Sequence, residues 1–289
     1  MADGTQPRPA QATPARPAST PDPSAAAICV RDFNLWYGDF QALFDVNLQV
    51  TRGKVTSLIG PSGCGKSTLL RSINRINERL GYVRTSGAIE LLGQDILAEG
   101  VELTPLRRSV GMVFQRPNPL PLSIRDNVLF AYRLSKGGKT KRADEDQVLQ
   151  EALEEVLLWD QVKDRLKSSA TALSLEEQQK LCIARLLPVK PSVLLMDEPT
   201  SAQDVRHALE LHEILGRLRA RGAAILVCLH DLSEVLAIAD QAVLLECGSV
   251  HASGPAAEIV QDRHITPVYG VELIQGGGLG FRLTAGGEE

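Results

Sequence analysis

The stretch Val55-Thr56-Ser57-Leu58-Ile59-Gly60-Pro61-Ser62-Gly63-Cys64-Gly65-Lys66-Ser67-Thr68-Leu69-Leu70-Arg71 decides the fold. Val55 to Ile59 reads as a short buried strand, and Lys66 onward as the start of a helix. Between them, Gly60 to Ser67 fits G-x-x-x-x-G-K-[ST]. Glycines let a backbone wrap closely around phosphate oxygens. Successive N–H groups and the helix N-terminus then aim positive partial charge at those oxygens. In such a loop Lys66 reaches the β- and γ-phosphates and Ser67 ligates Mg²⁺. A chance glycine-rich turn would lack the strand on one side and the helix on the other.

Working outward, Val193-Leu194-Leu195-Met196-Asp197-Glu198 is an apolar strand that ends in two carboxylates. Alone, that ending often marks a solvated turn. Behind a phosphate loop it gives Asp197 a metal to hold, usually through water, and Glu198 a water to orient or deprotonate. His230 ends the apolar run Ala224 to Leu229, where its side chain can touch a γ-phosphate; a lone histidine at a strand end is more often structural. Gln115 follows the run Val110 to Phe114 and can sense metal and water. Tyr37 can stack on adenine, although without the other motifs it would read as a core aromatic. His207, His212, His251 and His264 read as surface or core residues.

Strands alternating with helices give an α/β fold with a mainly parallel sheet. Strand-like segments cover Ile28 to Leu35, Val46 to Val50, Val55 to Ile59, Val110 to Phe114, Val193 to Met196, Ala224 to Leu229 and Val243 to Leu245. The spacing of Val148, Leu149, Ala152, Leu153, Val156 and Leu157 predicts a helix from about Ala143 to Val162, and a second helix covers Ala208 to Arg219. The insert between Gln115 and Val193 is a helical subdomain. Residues 1–26, rich in Pro, Ala and Thr, read as a disordered tail. The C-terminus, with Gly276-Gly277-Gly278 and Gly286-Gly287, reads as loosely ordered at its end.

Bulk properties set limits. The chain has 289 residues, enough to bury a core in one large domain or two lobes. Its net charge of -4 argues against a nucleic-acid binder that works by neutralising phosphates. The five cysteines are odd in number and form no C-x-x-C pair, which speaks against structural zinc and a disulfide framework and for a reducing compartment. There is no signal-peptide pattern, and no run approaches the roughly 18 apolar residues that span a bilayer. If the protein works at a membrane, other chains do the spanning.

Taken together, the order of motifs resembles the ABC transporter ATPase family over roughly Ala27 to Tyr269. Tyr37 matches the adenine-stacking loop, Gly60 to Thr68 (Gly60, Pro61, Ser62, Gly63, Cys64, Gly65, Lys66, Ser67 and Thr68) the Walker A motif, and Gln115 the Q-loop. Asp197-Glu198 matches Walker B with its catalytic glutamate, Ser201-Ala202-Gln203-Asp204 the D-loop, and His230 the switch histidine. The resemblance implies a P-loop NTPase core over residues 27–270, a small antiparallel β-subdomain, a helical subdomain over about 116–187 and a C-terminal tail over 271–289. It implies that ATP and Mg²⁺ are the cofactors. Glu198, His230 and Gln115 become the catalytic set, and Ser67, Gln115 and Asp197 the metal set. More narrowly, GPSGCGKSTLLRSINRIN, GMVFQRPNPLPLSIRDNV and QQKLCIAR look like the ATPase subunit of bacterial phosphate importers. Such a subunit works as a homodimer on the cytoplasmic face of the cell membrane. It partners two transmembrane permeases and, indirectly, a solute-binding protein.

Two stretches depart from that pattern. Val268-Tyr269-Gly270-Val271-Glu272 looks more like tails on iron-siderophore and haem importers, which keeps another cargo open. The family signature L-S-G-G-Q is here Leu173-Ser174-Leu175-Glu176-Glu177, and Gln203 stands where the D-loop has leucine. In the family the signature of one subunit touches the γ-phosphate held by the other, so Ser174 and Asp204 join the nucleotide-contacting set only across a dimer. Two like charges about 4 Å apart repel by roughly 1 kcal/mol in water and roughly 4 at an effective dielectric of 20. If Glu176 faced a γ-phosphate, closure would weaken about a thousandfold; if it faces solvent, the loss is small. The intact Lys66, Ser67, Gln115, Asp197, Glu198 and His230 favour an active ATPase. A degenerate regulatory partner is the alternative from another class. A P-loop kinase lacks an acceptor site.

Overall fold

The computed structural model describes residues 26–200, 204–275 and 279–283. In chain order the elements are β1 (Ala26–Tyr37), β2 (Phe40–Thr51), β3 (Val55–Ile59), α1 (Lys66–Ile73), β4 (Val83–Leu91), β5 (Gln94–Asp95), α2 (Leu103–Ser109) and β6 (Val110–Val113). There follow α3 (Ile124–Ser135), α4 (Arg142–Glu155), α5 (Trp159–Val162), α6 (Leu175–Ala184), β7 (Val193–Asp197), α7 (Val205–Ala220), β8 (Ala224–Cys228) and α8 (Leu232–Ile238). The chain closes with β9 (Gln241–Glu246), β10 (Ser249–Pro255), α9 (Ala256–Ile259), α10 (Asp262–Tyr269) and the hairpin β11 (Val271–Gln275) to β12 (Leu279–Leu283).

The central sheet runs β10-β9-β3-β8-β7-β6. Every pairing in it is parallel except β9 with β10. Strands β3, β7 and β8 are buried along their whole length, and their continuous apolar runs are what a sheet covered on both faces requires. A second, antiparallel sheet in the order β2-β1-β4-β5 forms a lobe in front of it. Its alternation of buried and exposed residues marks one face on the core and one in water. At Gly87 of β4, φ +87, a Cβ would meet the Asp32 carbonyl oxygen at 2.2 Å, so β1 passes too close there for any side chain.

Two hydrophobic clusters divide the interior. One joins the helical lobe to one face of the central sheet through Leu149, Leu153, Leu181 and Leu215. The other fills the space between the two sheets around Phe33, Leu69, Leu70 and Ile73.

The expected helix from Ala143 to Val162 is in fact two. Helix α4 ends at Glu155, Leu157 turns into the left-handed region at φ 55, and α5 restarts at Trp159. Val156 and Leu158 are fully buried on either side of the break. Apolar periodicity survives a kink when both flanks pack on one core, so the pattern conceals the break. The segment 271–275, read from sequence as part of a tail, pairs antiparallel with 279–283. Residues 1–25, Gly276 to Gly278 and Gly286-Gly287 lie outside the described residues.

Candidate nucleotide site

The phosphate loop, Gln115, Asp197, Glu198 and His230 enter the site at the carboxyl ends of parallel strands, where open α/β sheets place their ligands. The phosphate loop follows β3, Gln115 lies just beyond β6, Asp197 ends β7 with Glu198 next, and His230 follows β8. The loop is held down by close backbone approach. Gly60 sits at φ +145, and a Cβ there would lie 2.2 Å from the Leu245 carbonyl oxygen. Gly248 closes the other side: its N–H donates to the Cys64 carbonyl, and a Cβ on it would lie 2.4 Å from the Ala42 carbonyl.

Lys66 is buried, 4% exposed, and its Nζ donates to the Gly60 carbonyl at 2.8 Å and to that of Pro61 at 3.0 Å. The Cys64 Sγ lies 3.9 Å from the same ammonium. Burial pushes the Cys64 thiol up, with Lys66 opposing, and it pushes Cys228 well up. All five cysteines are free.

Ser67 Oγ donates to Asp197 Oδ1 at 2.7 Å. Asp197 is 2% exposed, and its other oxygen accepts from Arg71 Nη2 at 2.9 Å. A buried carboxylate needs such partners. The hydroxyl and carboxylate oxygens, side by side at the helix N-terminus, are the hard donors that a small divalent cation prefers.

Glu198 lies at φ 50, in the left-handed region where a residue with a side chain is strained. That turn carries its carboxylate between two side chains from neighbouring strands. Gln115 Nε2 donates to Oε2 at 2.7 Å, and His230 Nε2 lies 2.5 Å from Oε1.

Beside the loop, a cleft of about 450 Å³ is bounded by Tyr37, the loop residues Ser62 to Thr68, Glu198 and His230. Tyr37 donates its hydroxyl to Thr68 Oγ1 at 3.3 Å and meets the Tyr82 ring at a centroid distance of 6.3 Å.

Ser174 and Asp204 stand apart from this cleft. Ser174 caps α6 and accepts from the Glu177 N–H, while the Glu177 carboxylate accepts from the Ser174 N–H at 2.9 Å and from Arg165 at 2.5 Å. This is a closed capping box. Leu175 is 70% exposed and Glu176 is exposed too, so neither replacement for glycine folds inward within the chain. Asp204 caps α7 by accepting from the His207 N–H at 2.8 Å. Ser201, Ala202 and Gln203 lie outside the described residues. Of the other histidines, His207 is a core residue, 2% exposed, its ring nitrogen 3.2 Å from Gln179 Oε1.

Sequence reasoning missed three parts of the site. Arg71 anchors Asp197, which a basic residue one helical turn beyond Ser67 hints at. Phe40 lines the cleft at 65% exposure, and an aromatic that exposed is a signal only once its position is known. The Cys247-Gly248 turn lines it as well, through a backbone approach that leaves only a glycine as a trace.

Residues 43–201 match the ABC transporter family. The phosphate import ATP-binding protein PstB of Pseudoalteromonas translucida (strain TAC 125) is 46% identical over 224 residues, 78% of this chain and 80% of that protein. PstB of Mycoplasma capricolum subsp. capricolum is 47% identical over 221 residues, covering 76% and 81%. Among solved structures, cbiO1 of Clostridium perfringens, part of the ABC transporter complex cbiONQ, superposes with a TM-score of 0.71 at 25% identity, over 84% of this chain and 94% of that one. A dimeric post-hydrolysis state of the ATP-binding cassette MJ0796, bound to ADP and Pi, gives 0.69 at 26% identity, over 79% and 98%. The chain therefore belongs to the ABC transporter family as an ATP-binding subunit.

Proposed function

We propose that this protein is the ATP-hydrolysing subunit of a phosphate importer. The observation that carries the hydrolytic half is the convergence of Gln115 and His230 on Glu198 beside the phosphate loop. Lys66 and the loop amides bind and orient the phosphates. Glu198 accepts a proton from, or aligns, the attacking water, and His230 and Gln115 fix the direction of its carboxylate. Ser67, Asp197 and Gln115 would hold Mg²⁺, which when bound neutralises charge on the phosphate oxygens. Tyr37 stacks on the base.

The cargo assignment draws on the identity of 46% and 47% to phosphate import ATP-binding proteins over most of the chain. The subunit itself never touches the transported ion. No helix among the described residues is long and apolar enough to cross a membrane, so permease subunits supply the pathway and a solute-binding protein delivers the cargo. Two copies of this chain close on ATP and reopen after hydrolysis, which moves the permeases. Ser174 and Asp204, away from the cleft of their own chain, reach the nucleotide of the second copy. The dimeric neighbour bound to ADP and Pi supports this arrangement.

The test is uptake of labelled phosphate by cells lacking the subunit, complemented with the wild type or with Glu198→Gln. Uptake should return with the first and stay absent with the second. Restoration of ATP turnover without phosphate uptake would point to another cargo. A second reading, a partner that binds ATP without turnover, draws on the Ser174–Glu177 box in place of the glycines. It predicts equal uptake with wild type and Glu198→Gln.

A further inference from the structure

The four strands that deliver the nucleotide-site residues at their carboxyl ends each have a basic residue just before their amino ends. Across the sheet in spatial order these are Arg52 before β3, Arg221 before β8, Lys190 before β7 and Arg108 before β6. Backbone hydrogen bonds fix the alignment. Ile225 N–H donates to the Lys54 carbonyl, Ala224 N–H to that of Ser192, and Ser192 N–H to that of Ser109. Adjacent strands lie about 4.8 Å apart, so the four positions form a row about 15 Å long.

The row faces a cleft of about 930 Å³ between the central sheet and the helical lobe, and all four cations line it. From the lobe side Lys136, past the end of α3, adds a fifth positive charge, and Glu151 is the lining carboxylate. Arg221 is paired with Glu155. Among the described residues, Arg52, Arg108 and Lys190 make no ion pair and no side-chain hydrogen bond. In a chain with a net charge of -4, this is a local concentration of cations against the overall sign. A cleft with low-dielectric walls focuses such a field and raises the local concentration of counter-ions. Its volume lies in the range of small-molecule sites.

We propose that this cleft is a second anion site, and that it takes a linear, multiply charged phosphate chain. A single orthophosphate would meet one or two of the cations. An extended, multiply charged anion meets more of them at once, and a longer phosphate chain reaches further along the row. The chemistry is shared by inorganic polyphosphate and by the triphosphate tail of a nucleotide. The ligand would touch the sheet edge and the helical lobe together, about 17 Å from the nucleotide loop given five-residue strands at about 3.3 Å per residue.

The experiment is isothermal titration of the full chain with inorganic tripolyphosphate. It is done in a Lys66→Ala background to weaken the phosphate loop, with and without Arg108→Glu plus Lys190→Glu. Both reversed residues are exposed, so the fold is retained, and thermal unfolding of the variant checks this. Binding should weaken at least about tenfold on reversal and fall with added salt. Arg108→Gln plus Lys190→Gln should give an intermediate loss. Titration with ATP on the same background separates the sources: ATP binding that is lost on reversal assigns the nucleotide tail, and tripolyphosphate binding without it assigns free polyphosphate. Equal tripolyphosphate affinity with and without reversal, or binding no tighter than that of sulfate, overturns the proposal.

Discussion

His230 Nε2 lies 2.5 Å from Glu198 Oε1, and the two residues come from the ends of adjacent strands. Gln115 holds the other carboxylate oxygen at 2.7 Å. The carboxylate is therefore aimed from both sides, on a backbone turn that costs about 1–3 kcal/mol to maintain. Replacing it with an amide keeps the shape and removes the base. Glu198→Gln should lower ATP turnover by about 10² to 10⁴-fold and leave nucleotide affinity within a few-fold of wild type. Steady-state turnover paired with equilibrium nucleotide binding checks this. A variant that turns over at the wild-type rate removes Glu198 from the reaction.

The glycine replacements in the signature stretch make a different prediction. Leu175 and Glu176 both face solvent, and Glu177, not Glu176, closes back onto Ser174. The Glu177 carboxylate is tied to Arg165 and the Ser174 N–H, while Glu176 stays on the exposed first turn of α6. Leu175→Gly plus Glu176→Gly should change turnover by less than about tenfold. Ser174→Ala should cost about 1 kcal/mol of stability through the lost cap. Urea unfolding reads the second effect. A hundredfold rise in turnover with the double glycine variant would mean the natural residues obstruct closure.

At the other end of the cleft, Tyr37 is fixed by the hydroxyl contact to Thr68 and by the Tyr82 ring. Stacking needs the ring and not the hydroxyl. Tyr37→Phe should keep ATP affinity within a factor of about three, while Tyr37→Ala should weaken it about tenfold. Nucleotide titration of both variants is the measurement. Equal losses in the two would place the contribution in the Thr68 contact instead.

Strands β3, β7 and β8 were legible because each is a short continuous apolar run, buried along its whole length and bounded by turn or polar residues. The phosphate loop, the acidic pair, Gln115 and His230 were legible because each follows such a run. Strand β4 was not: Arg84, Ser86 and Gly87 break its apolar pattern, and it exists through pairing with β1. The Ser174-x-x-Glu177 spacing is itself a capping signature. It escapes notice when the stretch is compared with a glycine-bearing pattern, where what is missing draws the eye. Arg71 on Asp197 depends on the packing of α1 against β7: its place one helical turn beyond Ser67 is the local hint, and the partner is a tertiary fact.

The helical lobe supplies the last prediction. Glu145 on α4 accepts from Arg133 Nε at 2.7 Å, Arg133 Nη2 at 2.8 Å, Arg125 Nη2 at 3.1 Å and Thr140 Oγ1 at 2.7 Å. The Arg133 guanidinium, first among these, holds the carboxyl down to about 2, and Arg133 itself is raised. A depressed carboxyl stabilises the fold fully above its ordinary value of about 4.3, and that contribution disappears as pH falls towards the folded value. Glu145→Gln should therefore cost roughly 1–3 kcal/mol at pH 7 by leaving half-buried donors without their carboxylate. The gap between variant and wild type should shrink steadily below pH 4, as the wild-type carboxyl takes up its proton. Urea unfolding of both proteins at pH 7 and pH 3 measures it. A gap of the same size at both values would show that packing around the side chain, and not its charge, joins α3 to α4.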